Sequence, residues 1–480
     1  MIPHLRTQPK QEQVTDARNS SVKITREYSS PMATALSPFS RTLAWIAISI
    51  PPIAFYLLLA RSLTALPIQD DYHAILGFLV QWKSEVGISR ILEIATYQHN
   101  DYRCMFENAI VAMQYVLLGH TNLEVLAIMG NLFVLLIFAV LYLIWGTFSL
   151  PRDYRFLAFI PVSWILFQLQ YESTLNFATS GLQCFPVIFF VLLTFFLASR
   201  TSATAFAGAL LSFLFAVASY ANGLFLIPIG AVFFLQRKEY KRLSIWCCVG
   251  AIATLVYFHG YNFAVEMPNT HSDNIVSSIL HHLSLPYAAA FLGSIAAIRD
   301  PLPAILLGIL LTAVILFATY DRLFTRNPAL YYSSLFIFVT GLAVSGLRSN
   351  FGLASALGSR YRINSTVLLI LTYLYLAERL SEIKMRPQLF RAGVGIAGVL
   401  LATFTFVSDR AGERLLLVKR QALEVEMLRW ERHEPRHLVG NAFPGDFTSV
   451  NEENGLFDPI EPFISDSIRE GIYIPPDLPQ

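Results

Sequence analysis

The sequence predicts an all-α polytopic membrane protein of about eleven transmembrane helices, each near the roughly 20 residues that cross a bilayer. Three observations predict it. Of 480 residues, 55% are hydrophobic and only 14% charged, where a soluble domain carries about 25% charged residues. The mean hydropathy is +0.52. The apolar residues come in blocks of near-spanning length, and the basic residues gather in a few of the stretches between them. A net charge of +2 is too small for a nucleic-acid partner. The 6 Trp, 21 Tyr and 37 Phe suit lipid-facing and interfacial surfaces. Cys104, Cys184, Cys247 and Cys248 show no CxxC spacing and read as packing residues.

Residues 1–40 are polar, carry Lys10, Lys23 and Arg26, and lack an apolar h-region with a cleavage site; they are expected to form a cytoplasmic tail. Thr42–Leu63 is the first span, kinked at Pro51-Pro52. A large extracytoplasmic loop, residues 64–122, follows. Within it Ala74–Trp82 and Ile88–Ala95 are amphipathic, as helices lying on a bilayer are. Met105–Leu118 is apolar but broken by Glu107, Asn108 and Gln114, and reads as a juxtamembrane helix. The further spans are Leu123–Trp145, Phe156–Leu169, Gly181–Ala198, Ala203–Ser219, Leu224–Leu235, Leu243–Tyr261, Pro301–Tyr320, Leu330–Leu347, Ile363–Ala377 and Ala392–Val407. Lys and Arg concentrate in Gln236–Arg242, at Arg322 and Arg326, and in Lys384–Arg391, with Arg152, Arg155 and Arg200 in agreement. The positive-inside rule places these in the cytoplasm. His281–Ile298 then stays on the far side or re-enters partway. Residues 41–408 form the membrane domain, and 409–480 an acidic extracytoplasmic tail with a helix over Arg414–Arg432.

Four segments, Pro67–Leu118, Gln170–Ser180, Asn262–Ile298 and Arg348–Arg362, are expected to meet on the extracytoplasmic side. Asp70-Asp71 follows the first span. One reading is a helix N-cap, since apolar Ile75, Phe78, Leu79 and Trp82 follow at helical spacing. The other is a general base for a hydroxyl, its neighbour orienting it or binding a metal. Gln98–Glu107 is dense in polar groups. Arg103 and Glu107 are spaced to pair at i,i+4, while His99 and Asp101 are left to bind phosphate or relay a proton. Arg348, Arg360 and Arg362 lie where Lys and Arg are under-represented. They either pair with acids of other loops or hold a phosphate through fork-shaped hydrogen bonds.

DDYH, HNDYR, SYANG and GSRYR, taken with this layout, resemble the GT-C class of membrane glycosyltransferases and, more narrowly, its bacterial envelope-polysaccharide type. In those relatives the second motif often reads as asparagine followed by Glu-His-Arg. Here it is Asn100-Asp101-Tyr102-Arg103, with His99 adjacent. The resemblance covers roughly the membrane domain. It implies a bacterial inner-membrane enzyme with an extracytoplasmic active site, moving a sugar from a polyprenyl-phosphate donor to a glycan, lipid or protein acceptor. Asp70 or Asp71 would be catalytic. His99, Asp101, Arg103, Arg348, Arg360, Tyr361 and Arg362 would bind substrate. A divalent metal is left open. A polysaccharide polymerase and a transporter or flippase of lipid-linked glycans share the layout.

Overall fold

Over residues 37–100, 102–148, 152–262, 283–297, 300–382, 387–432 and 460–476, the residues described by the computed structural model, nearly all regular structure is helical. The chain begins with α1 (Pro38–Ser62), a π-type turn (Asp71–Gly77), α2 (Phe78–Ser84) and α3 (Ile88–Thr96). A two-stranded antiparallel hairpin follows, β1 (Gln98–His99) and β2 (Tyr102–Arg103). Then come α4 (Met105–Leu118), α5 (Leu123–Trp145), α6 (Arg152–Ala158), α7 (Ile160–Leu166), α8 (Glu172–Leu175), α9 (Ala178–Ala198), α10 (Ala203–Ser219), α11 (Leu226–Gln236) and α12 (Tyr240–Phe258). The last group is α13 (Leu285–Leu292), α14 (Pro301–Tyr320), α15 (Leu323–Arg326), α16 (Pro328–Arg348), α17 (Ser359–Glu382), α18 (Pro387–Glu431) and α19 (Ile460–Arg469).

Among the described residues six helices, α1, α5, α9, α12, α14 and α16, are long and apolar enough to cross a membrane. Their outward faces are apolar. On α14, for example, Leu302, Leu306, Ile309 and Leu310 point out while Ala304, Gly308 and Leu311 pack inward. Helix α4 is inside-out relative to a soluble helix: Glu107, Asn108 and Gln114 are buried, and Val116, Leu117 and Leu118 face outward. That arrangement fits a chain embedded in a membrane, where the surroundings are as apolar as leucine. Cys247 and Cys248 lie on the exposed face of α12 rather than in the packing, whereas Cys104 is buried.

With no water in hydrocarbon, backbone groups freed by proline need partners from the protein. Pro51 and Pro52 lack N–H groups, which leaves the carbonyls of Ala47 and Ile48 without their helical donors. The structure supplies both: Trp164 Nε1 donates to Ala47 O at 3.1 Å and Ser163 Oγ to Ile48 O at 2.7 Å. The donors come from α7. The expected span Phe156–Leu169 is thus two short helices, because Pro161 fits only a first helical turn and the chain restarts at Ile160. Helices α5 and α9 touch backbone to backbone, since a Cβ on Gly130 would lie 2.7 Å from the Gly181 carbonyl carbon. The described part of His281–Ile298, residues 283–297, contains a short buried helix. Its Ala289 carbonyl would collide with any side chain at Gly308.

The carboxyl-terminal region departs from the expected tail. Helix α18 runs 45 residues without a break at 408–409, about 68 Å at 1.5 Å per residue. Helix α19 then packs on the π-type turn and α2, with Ile464 and Ser467 fully buried and Phe463 against Gly77. Beyond it, Thr121 N donates to Ile472 O at 2.7 Å and Tyr473 Oη to Ala65 O at 3.1 Å. Ala74–Trp82 is therefore covered by protein and not laid on a surface. The neighbouring α3, with Ile88, Ile91 and Leu92 exposed, keeps the apolar outer face of an interfacial helix.

Ser163→Ala together with Trp164→Phe should destabilise the fold by about 1–3 kcal/mol per orphaned carbonyl. Thermal unfolding in detergent checks this; an unchanged midpoint would show that the two contacts do not support the α1 kink.

Candidate functional site

The first loop is held by Asp71. Its carboxylate accepts from Ile68 N at 3.0 Å and from Thr179 N at 2.9 Å, and Asp71 N donates back to Ile68 O. Thr179 lies in the first turn of α9, where unpaired amides and the helix dipole favour an anion. Asp71 is fully buried; burial pushes its carboxyl up to about 7, against the two amide bonds that pull it down.

Asp70 is held differently. It starts the π-type turn, a feature frequent at functional sites, but its side chain makes no capping bond. Tyr102 Oη donates to Asp70 Oδ2 at 3.3 Å, and His99 Nε2 lies 3.4 Å from Oδ1. Burial alone would raise this carboxyl. The His99 imidazole, the Arg360 charge and the Tyr102 hydroxyl outweigh it and hold the pKa below its ordinary value. Tyr102, buried beside that charge, stays a protonated donor. The helix-cap reading thus applies to neither residue as expected: Asp71 is the structural anchor and Asp70 the ionised, partly exposed carboxylate.

His99 sits in β1 opposite Tyr102 in β2, their rings 5.5 Å apart. The turn begins at Asn100 with a left-handed φ of 49°, and Gln69, just before Asp70, has φ 46°. Left-handed backbone at a non-glycine residue costs on the order of 1 kcal/mol and clusters at functional sites. Asp101 lies outside the described residues. His99 Nδ1 meets His73 Nδ1 at 2.6 Å.

The arginines separate. Arg103, fully buried, donates to His259 O at 2.7 Å and Val256 O at 3.5 Å, capping the end of α12. It neither pairs with Glu107, which accepts from Gln183 Nε2 at 2.7 Å, nor faces Asp70. Arg362 donates to Gln170 O at 3.2 Å and lies 4.0 Å from Glu172, the pairing with an acid that the sequence left open. Arg360 lies over the Tyr361 ring at 5.1 Å and has no ion pair or hydrogen bond among the described residues. Its charge acts on Asp70, Tyr102 and Tyr220, and that of Arg348 acts on Tyr220 and Tyr287. Contacts thus join Asp70, His99, Tyr102 and Tyr220, the last two with rings 5.6 Å apart, and the Arg360 charge reaches this cluster from over Tyr361.

Among the described residues no three His, Cys, Asp or Glu side chains converge as a metal site requires. His73 and Tyr220 were not singled out in sequence, although both fall in the quoted DDYH and SYANG stretches. The contacts of α19 carried no signal, its helix being 10 residues long. No family model and no curated protein matches the chain.

Asp71 sets a pH test. Its carboxyl is raised from 3.8 in the unfolded chain to about 7 when folded. The stability it contributes is fully present below about pH 4 and lost as pH rises through about 7. The wild-type thermal midpoint should therefore fall relative to Asp71→Asn between about pH 4 and pH 8. A gap that does not change with pH would contradict the raised pKa.

Proposed function

We propose that the protein is a membrane glycosyltransferase. It moves a sugar from a polyprenyl-phosphate donor to an envelope glycan, lipid or protein acceptor on the extracytoplasmic face of a bacterial cytoplasmic membrane. The observation that carries this reading is the Arg360 guanidinium, free of any ion pair among the described residues, whose charge joins His99 and Tyr102 in holding Asp70 ionised. A cation and a carboxylate that influence each other without bonding can each engage a different group of one ligand. The basic stretches orient about eleven spans so that residues 64–122 and 348–362 face outward.

In the reaction the acceptor hydroxyl gives its proton to Asp70 as its oxygen attacks the anomeric carbon. The carbon–oxygen bond to the phosphate breaks, and its electron pair leaves with the phosphate. Arg360 stabilises the charge gathering there, an electrostatic role already organised before reaction. One displacement inverts the anomeric centre. Asp71, Arg103 and Arg362 hold the frame. A polymerase would use the same residues and differ in its acceptor, a lipid-linked repeat unit.

Reporter fusions after Gln236 and Arg326 should read cytoplasmic, and those after Ala95 and Asn350 external; a cytoplasmic Ala95 would overturn the proposal. Purified protein given a panel of polyprenyl-phosphate sugars should transfer one of them to an acceptor. Movement across vesicles with no sugar transferred would instead mark a transporter. Arg360→Lys should lose about 10²-fold in turnover, the scale of a lost transition-state contact, and Arg362→Lys much less. Equal losses would refute the assignment of the phosphate to Arg360.

A further inference from the structure

We propose that His73 is a positioning residue for the base: it fixes the tautomer of His99 so that His99 presents Nε2–H to Asp70. This rests on the reading of Asp70 as the base. The two Nδ1 atoms are 2.6 Å apart. Two facing N–H groups cannot approach so closely, and two facing lone pairs repel, so one proton lies between the rings. If His99 donated it, the bare Nε2 of a neutral His99 would turn its lone pair on the Asp70 carboxylate 3.4 Å away. If His73 donates it, Nε2 carries the proton and meets that carboxylate with a donor. Of the two neutral tautomers of His99, only the second is attractive at both ends. The Asn100 side-chain nitrogen lies 3.0 Å from the same Nε2; nitrogen and oxygen of an amide exchange by a half-turn, and the Nε2–H tautomer takes the orientation that presents the oxygen.

His73 is itself fixed. Its ring packs against that of His99 at 4.7 Å, against Tyr97 at 5.7 Å and edge-on against Phe463 of α19 at 5.1 Å. Tyr97 Oη donates to the His73 carbonyl at 2.9 Å. Phe463 of the docked carboxyl-terminal helix thus packs on the His73 end of the row Asp70–His99–His73. Asp70, Tyr102 and Arg360 face the His99 end, and Tyr97 the His73 end. On α19, Asp466 pairs with Arg469 and Glu470 with Lys83. Asp71 is engaged by two amides, and Asp101 lies outside the described residues.

The arrangement has a pH signature. The His99 contact is one of the interactions holding Asp70 in its ionised form. Without His73, His99 is free to take the other tautomer, and Asp70 then accepts a proton more readily. The acid limb of kcat/KM should move to higher pH in His73→Phe, by about one unit, with the donor KM unchanged. His73→Asn, whose amide can donate near the old Nδ1, should restore the limb toward wild type. A merely structural role would lower the rate equally at every pH, and an unshifted limb in folded His73→Phe overturns the proposal. A second readout needs no activity: with ¹⁵N-labelled histidine in lipid nanodiscs, neutral His99, identified by its loss in His99→Gln, should be the Nε2–H tautomer. His99 found as Nδ1–H in wild type overturns the proposal, whether or not His73→Phe folds. If no donor gives transfer with wild type, the glycosyltransferase reading falls, and the tautomer measurement still decides the role of His73.

Discussion

The site depends on one buried carboxylate. Asp71 is taken out of water, and among the described residues its carboxylate is bonded to backbone amides and to no cation. One belongs to Ile68 in its own loop and the other to Thr179 at the start of α9. That second bond spans 108 residues of sequence and ties the first loop to a helix packed backbone to backbone on α5. Asp70 inherits its position from this tie. Its backbone cannot drift, while its side chain remains outside the lock and partly exposed.

The electrostatics follow from the same division. A pair of adjacent carboxylates would suffer if both were ionised in one small volume. Here Asp71 is buried and its pKa raised, while Asp70 is surrounded by His99, Tyr102 and the Arg360 charge and its pKa lowered. Neighbours in the chain thus have distinct protonation behaviour, which suits one to anchoring and the other to proton transfer. Arg360 lies over Tyr361 and has no ion pair among the described residues.

The frame was legible in the sequence because blocks of apolar residues and proline positions report directly on spanning helices. Leu123–Trp145 and Pro301–Tyr320 form with the bounds the pattern predicts. Two features misled. Glu107, Asn108 and Gln114 interrupt the apolar run of α4 in sequence, yet they pack inward and leave its outer face apolar. The change from apolar span to charged segment after Val407 suggested a boundary, but nothing there ends a helix and α18 continues. Of the site, the Asp pair, His99 and the arginines at 348 and 360 could be found by composition and position. Their separate roles could not, because the deciding partners are distant. The carbonyl of His259 that engages Arg103 is 156 residues away, and that of Gln170, which engages Arg362, is 192 residues away. Neither has any local pattern.

The central claim is that Asp70 does the chemistry and Asp71 holds it in place. Turnover and folded yield of Asp70→Asn and Asp71→Asn, measured side by side at saturating lipid-linked donor, test it most directly. Asp70→Asn is expected to fold as wild type and lose about 10²-fold or more in turnover, the scale of general-base catalysis, while still binding donor. Asp71→Asn is expected to show its main effect as lower folded yield, with turnover per folded molecule reduced less. An Asp70→Asn protein that turns over like wild type would contradict the account.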